Sequence, residues 1–148
     1  MDTMDNSMNL MAGREALELA LYVGGALHFC ILIASALTPF ALDWKKLLEP
    51  LPNLLRQMFW VYGAFIVLTI TSFGALTMLH AQAMAYGDAI GRSLCGVIAI
   101  FWAARLAVQL FLFDAKPFLT RWFWKAGYHA LTVCFIAMVA IFTWGALA

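Results

Sequence analysis

The sequence predicts an all-α integral membrane protein: a four-transmembrane-helix, up-down bundle with both termini on the outer side. Three observations carry that expectation. The 148 residues are 65% hydrophobic and only 11% charged, whereas a soluble domain carries about 25% charged residues. Four apolar runs, at about 19–42, 58–79, 91–113 and 127–147, each reach the roughly 20 residues a helix needs to cross hydrocarbon. The basic residues collect in alternate connections: Lys45, Lys46, Arg56, Lys116, Arg121 and Lys125 lie in two of them, against Arg14 and Arg92 in the tail and the remaining loop. The positive-inside rule places the two basic hairpins in the cytoplasm. The whole of 1–148 then forms one membrane domain. A net charge of +1 with no basic tail leaves no footprint for nucleic acid.

The preceding tail, MDTMDNSMNLMAGREALE, is not basic, and the first run exceeds the 7–15 residue core of a signal peptide, so it reads as a retained span. The first ten residues are expected to be poorly ordered. Span 1 ends near Thr38-Pro39. The stretch DWKKLLEPLPNLLRQ follows, with Trp44 and five leucines on one side and Lys45, Lys46 and Arg56 on the other. That amphipathic pattern, broken by Pro50 and Pro52, describes a short segment lying in the membrane interface. Span 2 is followed by a loop with Gly87 and Gly91 as breakers. Span 3 is the run Gly91–Phe113. After it, Trp122 and Trp124 are placed as interfacial anchors of span 4.

Span 3 also carries Arg105 in its inner half. An arginine in hydrocarbon costs at least roughly 2.5–3.5 kcal/mol on insertion scales, so it is expected to face protein, water or a headgroup. Helical spacing puts Trp102, Arg105 and Gln109 on one face of span 3, with Gly96, Ala99, Ala103 and Ala107 opposite. Small residues at that spacing let helices approach closely in lipid. Counting rise per residue, Thr38, Tyr62, Gln109 and His129 share a level near the cytoplasmic boundary, and Arg105 can reach back to it.

Two readings of that cluster stay open. In one, its members are packing glue between helices. In the other, Arg105, His129, Tyr62, Gln109, Trp102 and Thr38 bind a ligand with anionic or carbonyl oxygens: a lipid headgroup, a quinone, or a haem b propionate. Direct haem ligation would use His28 or His80, but the three histidines lie at depths roughly 15 Å apart, so no pair matches within one chain. Met138 lies near the depth of His28, yet half a turn from the His129 face. The cysteines Cys30, Cys95 and Cys134 fall in different spans without metal-ligand spacing. No HExxH, GxSxG or P-loop motif occurs, so no catalytic residue and no metal site are expected.

The stretches FWAARLAVQLFLFDAKPFLTR and GYHALTV resemble segments of bacterial four-span proteins, but they hold no motif with a known chemical job and nothing is carried over from them; the four spans make an integral membrane protein, expected in a bacterial cytoplasmic membrane. The function expected is that of a non-enzymatic subunit or anchor. It would bind a quinone, haem or lipid headgroup near the cytoplasmic leaflet, beside membrane lipid and a larger redox or transport partner. The alternative is a small homo-oligomeric transporter or channel whose path is lined by His28, Ser35, Thr69 and Thr143.

Overall fold

The computed structural model describes residues 2–112 and 121–148. The end of span 3 at Phe113, with Asp114 and Lys116, lies outside the described residues. Those described form helices and turns, with no strand among them: α1 (Asp2–Ala41), α2 (Trp44–Leu48), α3 (Asn53–Ala85), α4 (Ala89–Ala107), a π-helical turn (Val108–Leu112) and α5 (Trp122–Leu147). Four of these helices are long and apolar enough to cross a membrane.

α1 runs 40 residues, about 60 Å. It begins at Asp2, so the tail ahead of the span expected from about residue 19 is helical from there on. The reason is cooperativity: once the apolar part of a helix exists, each further residue adds a hydrogen bond without a new nucleus. Pro39 falls in its last turn, and Asp43, at φ 47°, stops it in the left-handed region, which Asp tolerates better than most residues. Asp43 also accepts from the backbone of Lys46 and pairs with its ammonium at 3.0 Å. Pro52 then caps α3, which extends beyond the expected span at both ends, with a kink at His80 (φ −123°, ψ 18°).

Just past the end of α3 lies Gly87, whose φ of +74° glycine adopts without strain. Asp88 opens α4 by accepting from the Gly91 amide at 2.6 Å. A side chain at Gly91 would lie 2.9 Å from the Met84 Cα, so the tight α3–α4 turn needs glycine there.

α1 pairs with α3, α4 pairs with α5, and α1 lies on α5 to join the two pairs. The shared core is unevenly placed. It contains Leu17, Leu21 and Ile31 of α1, Ile70, Ala81 and Met84 of α3, Cys95, Ile98 and Trp102 of α4, and Phe135, Met138 and Phe142 of α5. All of these lie toward the end that carries the chain termini. Toward the other end, that of the basic connections, burial thins to Leu48 of α2 and Gln109 of the π-helical turn. Among the described residues, none of α1 after Ile31, of α3 before Ile70, of α4 after Trp102 or of α5 before Phe135 is buried.

Candidate functional site

Two polar side chains have no exposed surface: Thr77, which donates to the Phe73 carbonyl of its own helix, and His28 of α1, which bonds to a second helix. Its Nδ1 lies 2.8 Å from the Gly24 carbonyl oxygen, and its Nε2 lies 3.0 Å from the indole Nε1 of Trp102 on α4. An indole nitrogen only donates, so Nε2 accepts, and the ring proton sits on Nδ1, which donates to Gly24. Both ring nitrogens are thereby used. Phe73 of α3 and Phe142 of α5 meet the imidazole edge-on, with centroids 6.3 and 5.5 Å away. Trp102 in turn lies against Phe101 and Phe135. One histidine thus gathers all four long helices. α3 can approach it because residue 74 is glycine: a Cβ there would stand 3.0 Å from the His28 Cβ and from the Phe29 ring.

A second polar group lies nearer the basic-connection end. Gln109, 4% exposed, donates from Nε2 to the Thr132 hydroxyl at 2.6 Å. Thr132 donates on to the Tyr128 carbonyl, and the Tyr128 hydroxyl donates to the Gln109 carbonyl at 3.0 Å. This ring of contacts ties the π-helical turn to α5. A π-turn re-aims side chains by about one residue's rotation and often marks functional sites. Arg105, one turn before Gln109, is half-buried, with its guanidinium 5.6 Å from the centre of the Phe135 ring.

The residues expected to line one pocket therefore keep different company. Trp102 serves His28, Gln109 serves Thr132 and Tyr128, and Arg105 lies over Phe135. Thr38 donates to its own helix at Ala34. Tyr62 is 60% exposed, and His129, also exposed, has Tyr128 as its ring neighbour. The face shared by Trp102, Arg105 and Gln109 turns toward α5, where it meets Phe135 and Thr132.

The face of α5 that enters the core is Phe135, Met138, Phe142 and Gly145. The stripe with His129, Ile136 and Thr143 points out, so of the two opposed faces it is Met138's that is internal. On span 3 the small face is divided in the same way: Ala99 is buried and Gly96 meets Ala146, while Ala103 and Ala107 are exposed. The four residues of the expected polar path also separate. His28 is sealed, Ser35 and Thr143 are exposed, and Thr69 donates to the Phe65 carbonyl of its own helix. His80 is exposed at the α3 kink.

As a haem ligand, His28 would need the Nε2 lone pair that Trp102 occupies. Among the described residues no group of three or more His, Cys, Asp or Glu side chains is placed to hold a metal ion. The three cysteines are free: Cys30 exposed, Cys134 half-buried, and Cys95 buried against Gly145.

The His28–Trp102 bond is the feature that reading by element missed. A depth count could have found it. Trp102 lies about 16 Å into span 3 from Gly91, and His28 about 14 Å into span 1 from Leu19. Comparison with known proteins finds no family model that matches the chain and no similar curated protein or solved structure.

Proposed function

We propose that the chain is a non-enzymatic integral membrane subunit, an anchor that works through its surfaces and not through its interior. The observation behind this reading is the division of the bundle. Where the helices meet, the buried polar side chains satisfy one another: among the described residues, no buried side-chain nitrogen or oxygen lacks a hydrogen-bond partner. Such an interior presents no reacting group to a substrate. Where the helices stop sharing a core, their sides are apolar all round, as in Phe59, Val61, Phe65, Ile66 and Leu68 of α3. A helix that is apolar on every side is stable in lipid or against other membrane helices.

With the basic connections in the cytoplasm, that open half lies in the inner leaflet, facing lipid and the helices of a larger assembly or a second copy. Of the ligands suggested by the sequence, a lipid headgroup suits the arrangement best. It needs no vacant imidazole and can be met at the membrane interface by lysine and arginine. Arg105, near the end of α4, lies over the ring of Phe135 in the middle of α5.

Site-specific photocrosslinking tests this in the native membrane. A crosslinker at Ile66, an exposed α3 residue on a different side from Val61, Phe65 and Leu68, should yield a discrete protein adduct, whereas one at Ile90, an exposed residue at the other end of the bundle, should yield only lipid adducts. Lipid adducts alone from both positions would reject the subunit reading. A Soret band or stoichiometric quinone in the gently purified protein would replace it with a cofactor-binding one.

A further inference from the structure

We propose that the concavity between α2 and the start of α3 binds the phosphate of an anionic phospholipid headgroup, with the lipid's acyl chains lying along α3. This rests on the anchor reading above and names a ligand for it. The concavity has a volume of about 380 Å3 and is lined by Lys45, Lys46, Leu48, Glu49, Arg56 and Trp60. That volume is within the range of about 300–1,000 Å3 common for small-molecule sites. Three cations and one carboxylate line it, and Asp43 pairs with Lys46 at the rim, which leaves one positive charge in excess and favours an anion.

Local contacts orient two of the three cations, Lys46 and Arg56. The left-handed turn at Asp43 starts α2, and the Asp43–Lys46 pair, at 3.0 Å, fixes one ammonium at the rim. Asn53 accepts from the Arg56 guanidinium, orienting its fork. A planar fork suits paired phosphate oxygens, and the lysines add point charge.

The apolar side of the site separates a lipid from free phosphate. Leu48 and Trp60 are among its walls, and Trp44 and Phe59 stack edge-on beside it, with centroids 5.1 Å apart. Indole rings next to basic residues mark the level of headgroups. Immediately beyond Trp60, α3 continues as exposed Val61, Phe65 and Leu68, a surface on which acyl chains can lie. A phosphate in the concavity would therefore have its hydrocarbon running alongside the one helix that packs least in that region.

The test is native mass spectrometry of delipidated full-length protein in detergent, titrated with phosphatidylglycerol or with phosphatidylcholine. The wild type should retain phosphatidylglycerol in preference. Replacing Lys45, Lys46 and Arg56 with Gln should lower that retention by at least tenfold, since each basic residue at an anionic surface is worth about fivefold. Glu49→Gln removes the opposing charge and should raise retention several-fold, an outcome that misfolding would not produce. Replacing Arg121 and Lys125, exposed basic residues outside the concavity, should change little.

Equal loss from both sets of substitutions would overturn the site in favour of general charge attraction. Equal retention of the two lipids would overturn it as well. Displacement of phosphatidylglycerol by an equal concentration of inorganic phosphate would overturn the lipid as its occupant. Because this assay is done in detergent, it does not depend on the photocrosslinking result, and either reading can fail alone.

Discussion

The hydrogen bond between Trp102 and His28 makes a quantitative prediction through a double-mutant cycle. Trp102→Phe removes the donor and leaves the His28 Nε2 lone pair buried beside Phe73 and Phe142. His28→Leu removes the acceptor and leaves the indole N–H buried instead. An unpaired buried polar group costs about 1–3 kcal/mol, beyond what each truncation loses in packing. The double variant leaves no orphan from this bond. Its destabilisation should therefore fall short of the sum of the singles by about 1–2 kcal/mol, at the upper end of hydrogen bonds between membrane helices.

The assay is denaturant or thermal unfolding in mild detergent. Each kcal/mol should move the midpoint by about 2–4 °C for a chain of this length. If the two single losses add to the double within about 0.3–0.5 kcal/mol, the usual tolerance for independent sites, the two rings do not share the bond and the proposed centre of the fold is wrong.

Further outcomes follow from the same geometry. Gly74→Val should destabilise by about 1–3 kcal/mol, because even a Cβ at that position would stand 3.0 Å from the His28 Cβ; an unchanged midpoint would mean that α3 is free to move away from α1. In folded protein in detergent, a maleimide should modify Cys30 first and Cys95 last, because the first is exposed and the second buried, and denaturation should equalise them. Gln109→Leu should cost no more than about 1 kcal/mol, since Thr132 keeps its bond to the Tyr128 carbonyl; a larger loss would show that the π-helical turn itself depends on the amide. Single cysteines at positions 45 and 125 in a cysteine-free background should be labelled by an impermeant reagent only from the cytoplasmic side, as the distribution of Lys and Arg requires.

The number of spans and their approximate positions were legible because they depend on length and hydropathy, quantities summed along the chain. The helix ends were less so. Asp2–Leu17 reads as a polar tail, yet it continues a helix already paid for by its apolar part. The residues that meet across the bundle were legible only where depth was compared span by span. Trp102 was grouped with Arg105 and Gln109 because they share a face of one helix, but its indole reaches a histidine 74 positions away in sequence. Tyr62 and His129 are exposed, because rotation about a helix axis is decided by packing and not by position along the helix. In α5 the bulk of Phe135, Met138 and Phe142 claimed the interior. Hydroxyls such as Thr69, Thr71 and Ser72 can sit away from the core because each donates to the carbonyl four residues earlier, so a polar letter in a span does not by itself mean an inward side chain.

The uneven distribution of buried side chains also sets how the molecule opens. Backbone amides in the layer from Leu21 to Ile31 and from Ile98 to Trp102 should exchange their hydrogens only through global unfolding, while those of α3 near Phe59 to Leu68 should exchange through local fraying wherever water reaches them. The protein would then behave like a pair of tongs gripped at one end: the free ends can spread or close to match the thickness of the surrounding bilayer, while the joint holds.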